Sequence, residues 1–499
     1  MSGAVTLAFA LGVPFAAAIL IVMSDPRPNQ REGATLVSAV VLFALVASLV
    51  PRLLSGETLR LVIAEPIAGL PLMLEVEPLG MIFALIASGL WIINSVYSIG
   101  YMRGNNERHQ TRFYTCFAIA LGSTMGIAFA GNLFTLFVFY ELLTLSTVPL
   151  VTHKGDESAR AGGRTYLGIL LGTSIGLQLL AIIITYVIAG HGDFTPGGLL
   201  AGKAEGPLVG VLLALYMFGI GKAALMPMHR WLPAAMVAPT PVSALLHAVA
   251  VVKAGVFCVV KVIVYVFGLD MLRVEPSASW LLYVAGFSIV AASLVALRQD
   301  NLKRRLAYST ISQLSYVTLA AAMLAPISIV AAAMHITAHA FGKVTLFFAA
   351  GAIYTAAHKT EISQLDGIGR RMPWTMGAFT VGALSMIGIP PTVGFLSKWY
   401  LLMGALESEQ LFALCVIIVS TLLNAAYFMP VIYRAFFKAP PGSHAHSDGG
   451  GALDDDHPHG EAPWPMVLAL STTAACTVLL FFWPDVPLAL AQRLGEIAQ

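Results

Sequence analysis

The sequence predicts an all-α polytopic membrane protein of about fourteen transmembrane helices, of which the seventh and the twelfth are broken. Hydrophobic residues make up 58% of the 499-residue chain and charged residues only 11%, whereas a soluble domain carries about 25% charged residues. Apolar runs of about 20 residues, long enough to cross a bilayer, follow one another along the chain. Two of these runs are interrupted by glycine and proline, and each contains a lysine, Lys222 or Lys398.

Fourteen segments are long and apolar enough to be predicted as spans, with boundaries good to a few residues. They are residues 4–23, 33–54, 79–101, 112–130, 133–152, 164–189, 207–226 with a broken tail to 237, 241–267, 279–298, 304–323, 326–356, 374–404 with an interruption at 388–392, 409–437 and 464–488. The first run lacks a basic flank and a cleavage site, so we expect a retained helix. Residues 55–78 contain two short β-prone runs around a glycine, which predict an external hairpin.

The basic residues predict the orientation of the spans. With the N-terminus outside, about 18 of the 28 Lys and Arg residues fall in cytoplasmic loops and about 5 fall outside. The opposite orientation would violate the positive-inside bias. Fourteen spans then place both termini outside.

Several classes of function are not indicated by the sequence. The net charge is +2 and no basic stripe suggests a nucleic-acid partner. We find no phosphate-binding glycine loop and no haem, flavin or iron–sulfur spacing, so no cofactor is predicted. The four cysteines are far apart and lack metal-ligand spacing. A His- and Asp-rich stretch at residues 442–461 could bind a divalent metal, but its composition is also that of a solvated loop, and we expect the loop.

Eight ionisable residues lie deep in predicted spans, where charge is expensive and marks ion or proton pathways. They are Glu141, Lys222, His247, Lys253, His335, His339, Lys343 and Lys398. Three of them recur at spacings of four in HITAHAFGK and therefore share one face of a helix. A helix broken at membrane depth is tolerated only where it lines protein or a wet cavity.

The arrangement predicts a lateral proton relay. Glu141 is the only deep carboxylate in the first half, and Lys222 is its natural ion-pair partner. When Glu141 is neutralised or moves away, desolvation favours the neutral amine and Lys222 can release its proton. The relay would continue through Lys253 and the histidines, which titrate near neutral pH, to Lys398.

Structural roles are the alternative for individual residues. A membrane lysine can snorkel to the headgroups or pair structurally, and we favour this interpretation for Lys261. A histidine in a helix is often a packing group, which leaves His247 and His335 open between the two roles.

The two broken helices predict an internal repeat. FGIGKAALMPMHRWL and MIGIPPTVGFLSKWYL combine glycine, proline, lysine and tryptophan, and five spans separate them. An odd number of spans inverts the second copy in the membrane. We therefore predict N-terminal helices with the hairpin (1–111), a first five-helix repeat (112–267), a second inverted repeat (268–437), and the His/Asp-rich loop with the last helix (438–499).

Four stretches resemble one protein family. MHRWLPAAMVAPTPVSALLHAVAVVKAG, LAYSTISQLSYV, HITAHAFGKVTLFFAAGAI and IGIPPTVGFLSKWYLL are similar to the antiporter-like proton-pumping subunits of respiratory complex I and to the large subunits of Mrp-type Na+/H+ antiporters. The chain length resembles the Mrp D subunit, whereas SALLHAVAVVKAG is closer to the larger subunit of Mrp antiporters and to the lateral-helix subunit of complex I.

The resemblance implies fourteen core helices with two inverted five-helix repeats and a multi-pass protein of a prokaryotic cell membrane. It also implies residue roles: Glu141 and Lys222 would form an ion-paired dyad, Lys253 would be the central lysine, and Lys398 the terminal proton-exchange residue.

Three functions are therefore open. The first is a proton-translocating subunit of a multisubunit Na+ or K+/proton antiporter, a secondary transporter and not an enzyme, with other membrane subunits as partners. The second is a subunit of a redox-driven complex I-like or membrane-bound hydrogenase assembly, and the third a membrane partner in bicarbonate uptake. The sequence shows no cluster of oxygen ligands, so we expect a partner subunit to coordinate Na+.

Overall fold

The structure is a computed structural model that describes residues 2–439 and 460–499, so the His/Asp-rich stretch lies almost wholly outside the described residues. It is built from helices, as predicted. The helices are α1 (Gly3–Met23), α2 (Pro28–Leu54), α3 (Pro78–Gly104), α4 (Gln110–Ala128), α5 (Leu133–Val151), α6 (Glu157–Ala189), α7 (Pro207–Gly219), α8 (Thr240–Phe267), α9 (Trp280–Arg298), α10 (Leu302–Ala322), α11 (Pro326–Ala357), α12a (Pro373–Ile387), α12b (Val393–Glu407), α13 (Leu411–Phe437), α14 (Trp464–Phe482) and α15 (Asp485–Ile497), with short helices at Trp231–Ala234, Leu269–Val274 and Ile368–Arg371.

Each of the fourteen predicted spans contains a helix. In the described part of the chain, ten helices are long and apolar enough to cross a membrane. The other four predicted spans correspond to α4 and α10, which are long but more polar, and to the two broken helices, whose pieces are only 13 residues (α7) and 15 residues (α12a and α12b) long. The predicted all-α fold is thus confirmed.

The predicted last helix was wrong at its C-terminal end. It stops at Phe482, and the chain resumes as α15 after a turn that contains Pro484. Proline cannot continue a helix but suits the first turn of the next one. The separate helix α15 was not predicted.

The predicted hairpin is confirmed. Strands β1 (Arg60–Ile67) and β2 (Leu70–Glu75) pair antiparallel, and Gly69 in the turn has a φ of +80°, which glycine adopts without steric cost. The hairpin docks on the α4–α5 connection, where the Gly131 amide donates to the Met73 carbonyl at 2.9 Å and the Glu75 amide donates to the Phe129 carbonyl at 2.7 Å.

Helices α8 and α11 form the centre of the molecule. In the most apolar stretch of each helix, 100% of the residues of α8 and 94% of those of α11 are buried, compared with 28% for α2 and 33% for α14. The outer helices are therefore left partly uncovered, for lipid or partner subunits, whereas other parts of this chain enclose α8 and almost all of α11. Five of the eight predicted site residues lie on α8 and α11.

Glycines allow the broken helices to close against their neighbours. After α7 the chain forms a tight turn, Gly221–Ala223, and a side-chain carbon on Gly255 of α8 would lie 2.2 Å from the Ala223 amide nitrogen. In the second break, a side-chain carbon on Gly394 would lie 1.8 Å from the Ser385 carbonyl oxygen. Both contacts are with backbone, which cannot rotate away.

We predict that Gly255→Ala destabilises the protein by about 1–3 kcal/mol, the usual cost of overpacking, because the new methyl group meets the turn that carries Lys222. The midpoint of thermal unfolding in detergent measures this effect. The matched control is Gly168→Ala on α6, where the added carbon meets nothing within 4 Å and a helical alanine is favoured over glycine. Equal unfolding midpoints for the two variants would refute this account of the break.

Candidate functional site

Lys222 lies in the tight turn of the first broken helix and is fully buried. Its Nζ atom donates to the Tyr140 carbonyl at 2.9 Å and to the Thr144 hydroxyl at 2.6 Å. The same ammonium lies 3.1 Å from the centroid of the Tyr140 ring, a cation–π contact that partly replaces lost hydration. Neutral groups on α5 thus hold this charge.

The predicted ion pair between Glu141 and Lys222 was wrong as a direct contact. Both carboxylate oxygens of Glu141 lack a hydrogen-bond partner among the described residues. Tyr140 and Thr144 are one helical turn apart and share the face of α5 that meets Lys222, whereas Glu141 is rotated about 100° from Tyr140. Its side chain is only half-buried in this chain.

The turn that carries Lys222 packs on the helix that carries Lys253. Gly255, two residues after Lys253, is in backbone contact with Lys222. Lys253 is fully buried, and its Nζ atom lies 2.7 Å from Nδ1 of His339 on α11. When the lysine is charged it donates this bond, so Nδ1 accepts and the ring proton is on Nε2. The structure therefore brings two of the predicted residues into direct contact.

His335 continues the line one turn along α11. Its ring centroid is 6.4 Å from that of His339, and its Nδ1 atom lies 3.0 Å from the Ser397 hydroxyl. Ser397 precedes Lys398 on α12b. Of the two roles left open for His335, this hydrogen bond supports a place in the polar line.

Lys398 occupies the second broken helix in much the way that Lys222 occupies the first. Its Nζ atom donates to the Ile387 carbonyl at 2.8 Å and to the Thr421 hydroxyl at 3.0 Å. It also lies 5.2 Å from the centroid of the Tyr316 ring. In both breaks, a backbone carbonyl, a threonine hydroxyl and a tyrosine ring surround the ammonium.

Two of the predicted residues lie beside this line. Lys343 turns towards α10, where its Nζ atom donates to the Ser309 hydroxyl at 2.8 Å, and Ser309 in turn lies 3.0 Å from the Tyr427 hydroxyl. His247 packs on Phe347 with a centroid distance of 4.8 Å, and neither ring nitrogen has a partner among the described residues. His247 is therefore not joined to the line by a hydrogen bond.

Wider π-helical turns flank the buried charges. They cover Ser174–Gln178, Leu245–Val249 and Val262–Phe267; the second contains His247, and the third follows Lys261. Such turns are rare and frequently lie at functional sites. They have no sequence signature, so sequence analysis did not find them.

Sequence analysis also missed the neutral hydroxyl groups that bond the buried lysines and His335. Thr144, Ser309, Ser397 and Thr421 each bond a predicted site residue. The polar run STISQLS in α10 is a signal that could have indicated one of them, because it leaves little apolar surface for a lipid-facing role.

A separate buried ion pair lies towards the end of α8. The Lys261 ammonium pairs with the Glu77 carboxylate at the start of α3 and donates to the Ala130 carbonyl at 2.7 Å. The pairing role favoured for Lys261 thus has a partner, which the sequence did not identify. Within residues 2–439 and 460–499, no group of three or more His, Cys, Asp or Glu side chains could hold a metal ion.

Comparison with known proteins gives one family throughout. A family profile described as "NADH:quinone oxidoreductase/Mrp antiporter, TM" matches residues 130–424. NADH-quinone oxidoreductase subunit N of Desulforudis audaxviator is 34% identical over 438 residues, which cover 86% of this chain and 85% of that protein. The A/B subunit of a probable K(+)/H(+) antiporter from Rhizobium meliloti is 32% identical over 86% of this chain but only 43% of its own length.

Solved structures share the fold. A chain in the Mrp complex from Dietzia sp. DQ12-45-1b superposes with a TM-score of 0.87 at 21% identity, covering 99% of this chain and 97% of that chain. A chain of a membrane-bound sulfane sulfur reductase, an archaeal respiratory membrane complex, gives a TM-score of 0.83 at 22% identity.

We predict that one lysine-to-methionine variant keeps the stability of the parent protein and that another loses stability. The midpoint of thermal unfolding in detergent measures both. Lys222→Met should stay within about 1 kcal/mol of the parent protein, because the change removes the desolvation cost of a buried charge and leaves no paired carboxylate behind among the described residues. The Thr144 hydroxyl also keeps its own bond to the Tyr140 carbonyl. Lys261→Met should cost about 3–5 kcal/mol, because it leaves the Glu77 carboxylate unpaired. A larger loss for Lys222→Met than for Lys261→Met would contradict this assignment.

Proposed function

The chain belongs to the NADH:quinone oxidoreductase/Mrp antiporter transmembrane family, and from that premise we propose that it conducts protons as one subunit of a multisubunit monovalent cation/proton antiporter. The observation that carries the proposal is the buried line from Lys253 through His339 and His335 to Ser397 and Lys398. A chain of ionisable groups between central helices has a high desolvation cost, and in membranes such residues mark transport pathways.

The contacts support proton transfer in a defined order. The Lys253 ammonium gives a proton to Nδ1 of His339, and the ring gives its Nε2 proton to a water molecule, because Nε2 has no hydrogen-bond partner among the described residues. The histidine then returns to a neutral form. His335 lies next along α11, with its Nδ1 atom on the hydroxyl that precedes Lys398. Each lysine in this line is held by neutral acceptors, which can keep their hydrogen bonds after the lysine has lost a proton.

Glu141 supports a multisubunit assembly. It is half-buried in this chain, and its carboxylate has no hydrogen-bond partner among the described residues. Both carboxylate oxygens are enclosed by this chain and unpaired, which is expensive for a charged group. Because another part of the Glu141 side chain remains exposed, we propose that a neighbouring membrane subunit covers this face of α5. The dyad with Lys222 would then operate through movement of either side chain.

We also propose the cell membrane as the location, with both termini outside, and the two inverted repeats at 112–267 and 268–437.

The redox-driven assembly is the second candidate. The relative that favours it is NADH-quinone oxidoreductase subunit N, which matches this chain over most of both lengths. The proton path would be the same, but electron transfer in other subunits would drive it. The genes that neighbour this one distinguish the two, since quinone- or iron–sulfur-binding subunits indicate the second candidate.

We predict that Lys222→Ala and Glu141→Ala each abolish Na+- or K+-dependent proton movement in everted vesicles that contain all subunits of the complex. Both changes remove a titratable group from the first half of the path. Lys203→Ala is the control, because Lys203 lies on an exposed loop before α7. Unchanged antiport in the Lys222 and Glu141 variants would refute the proposal. If the parent complex shows no antiport but pumps protons when given an electron donor, the redox-driven candidate is correct.

We further predict that His339→Ala lowers the initial rate of cation-dependent proton movement by about 100-fold, within the range for losing a positioned acid–base group. His358→Ala, at the exposed C-terminal end of the same helix, should leave the rate unchanged. A full rate in the His339 variant would place the proton path elsewhere.

A further inference from the structure

A buried chain of hydrogen bonds joins Lys343 to the second helix break. The Lys343 Nζ atom donates to the Ser309 hydroxyl at 2.8 Å, and that hydroxyl lies 3.0 Å from the Tyr427 hydroxyl. The Tyr427 hydroxyl donates to Oδ1 of Asn424 at 2.5 Å, and Nδ2 of Asn424 donates to the Met386 carbonyl at 3.3 Å. All four side chains in this chain are completely buried. It passes through α10 and α13 and includes none of the histidines.

Helix α13 contributes the middle of this chain. Tyr427 and Asn424 are three residues apart and therefore lie on one face of α13, which is the face turned towards the protein. The chain ends at the Met386 carbonyl, and the next carbonyl along α12a, that of Ile387, accepts from Lys398. The polar groups of α13 thus connect the surroundings of two buried lysines.

The direction of the hydrogen bonds is fixed at both ends when Lys343 is charged. An ammonium group only donates, so the Ser309 oxygen accepts and its own proton points to Tyr427. The Oδ1 atom of Asn424 only accepts, so Tyr427 always donates to it. Every donor in the charged state therefore points away from Lys343, and bonds aligned in this way strengthen one another.

Only one hydroxyl has to turn when Lys343 is neutral. An amine without its extra proton can accept, so the Ser309 hydroxyl can turn from Tyr427 to Lys343. The amide of Gln313, one turn after Ser309 on α10, faces the Tyr427 hydroxyl. Both polar atoms of this buried amide lack a hydrogen bond in the described part of the chain. Its Nε2 atom can therefore donate to Tyr427 in place of Ser309.

The other groups around Lys343 make this neutral chain important. The titratable groups that face Lys343 are His247 and Lys253 on α8, and His335 and His339 on its own helix. These are cations or neutral bases, so none compensates an ammonium charge. Stabilisation of the charged form depends on acceptors such as the Ser309 hydroxyl.

We propose that Tyr427 is a positioning residue of the proton path, which acts through Ser309 and allows Lys343 to alternate between its charged and neutral forms. The proposal deepens the proposed function and rests on it. The Tyr427 oxygen accepts the Ser309 proton in the charged state and releases it in the neutral state. Asn424 holds the Tyr427 hydroxyl in place in both states.

The proton step that uses this arrangement follows from the line already described. His339 lies one turn before Lys343 on α11 and gives its Nε2 proton to water. The water passes a proton to the neutral Lys343 amine, so one N–H bond breaks on the histidine and one forms on the lysine. The Ser309 hydroxyl then turns to Tyr427. Loss of the proton from Lys343 to water reverses these changes.

The test is the initial rate of proton flux in vesicles that contain all subunits of the complex, driven by a cation gradient or by an electron donor. Tyr427→Phe should lower the maximal rate by about threefold to tenfold, the effect of losing one neutral hydrogen bond. The concentration of cation or donor that gives half the maximal rate should not change. Lys343→Met should lower the rate at least as much.

The double variant separates positioning from a structural role. In the Lys343→Met background, Tyr427→Phe should cause no further loss of rate, because the group on which it acts is absent. A purely structural effect of Tyr427 would appear in both backgrounds. Tyr433→Phe is the matched control, because Tyr433 lies on the same helix and is 57% exposed.

Ser309→Ala provides a second variant if Tyr427→Phe does not fold. It should lower the maximal rate and should also have no effect in the Lys343→Met background. A full rate in Tyr427→Phe or in Lys343→Met would overturn the proposal. Rate losses that multiply in the double variants would overturn it as well.

These outcomes are distinct from the test of the proposed function. Flux that is lost in Lys222→Ala but complete in Tyr427→Phe would overturn the positioning role alone. Flux that is complete in Lys222→Ala, together with a Tyr427→Phe loss that disappears in the Lys343→Met background, would support the positioning role and overturn the first half of the path.

Discussion

The cost of placing charge in a medium of low dielectric constant governs this structure. Four predicted site lysines, Lys222, Lys253, Lys343 and Lys398, are buried, and none forms an ion pair with a carboxylate among the described residues. Hydroxyl groups, backbone carbonyls, a histidine nitrogen and aromatic faces hold them instead. Because an isolated charge in such a place is strongly disfavoured, proton loss is an accessible alternative to permanent charge. Their position inside the protein, on or against the central helices α8 and α11, makes the arrangement possible.

The broken helices provide some of the polar groups that hold the buried lysines. An unbroken helix uses its carbonyl groups for its own hydrogen bonds, whereas the break after α12a leaves the Ile387 carbonyl free to accept from Lys398. Glycines at these breaks admit the backbone of neighbouring helices. The same constraint explains the Lys261–Glu77 pair, in which a carboxylate compensates the charge of a buried ammonium group.

Much of the fold and of the site was predictable, because apolar length and deep charges are local features of the sequence. The contacts were not. Glu141 and Lys222 were paired by charge alone, and the direction of the α5 side chains decided against a direct bond. Glu77 and Lys261 are 184 residues apart, and only docking of the hairpin on the helices brings them together. Helix α15 was not predicted, because it is amphipathic rather than apolar. The π-helical turns were not predicted, because they lack a sequence signature.

The central claim is that the buried groups act in series as one proton path. The most direct measurement is the initial rate of cation-dependent proton flux in liposomes that contain the complete complex, for Lys253→Met, His339→Gln and the double variant. Residues that act as one unit are strongly non-additive, so the double variant should be no slower than the slower single variant. Losses that multiply in the double variant would show two independent routes and contradict the account.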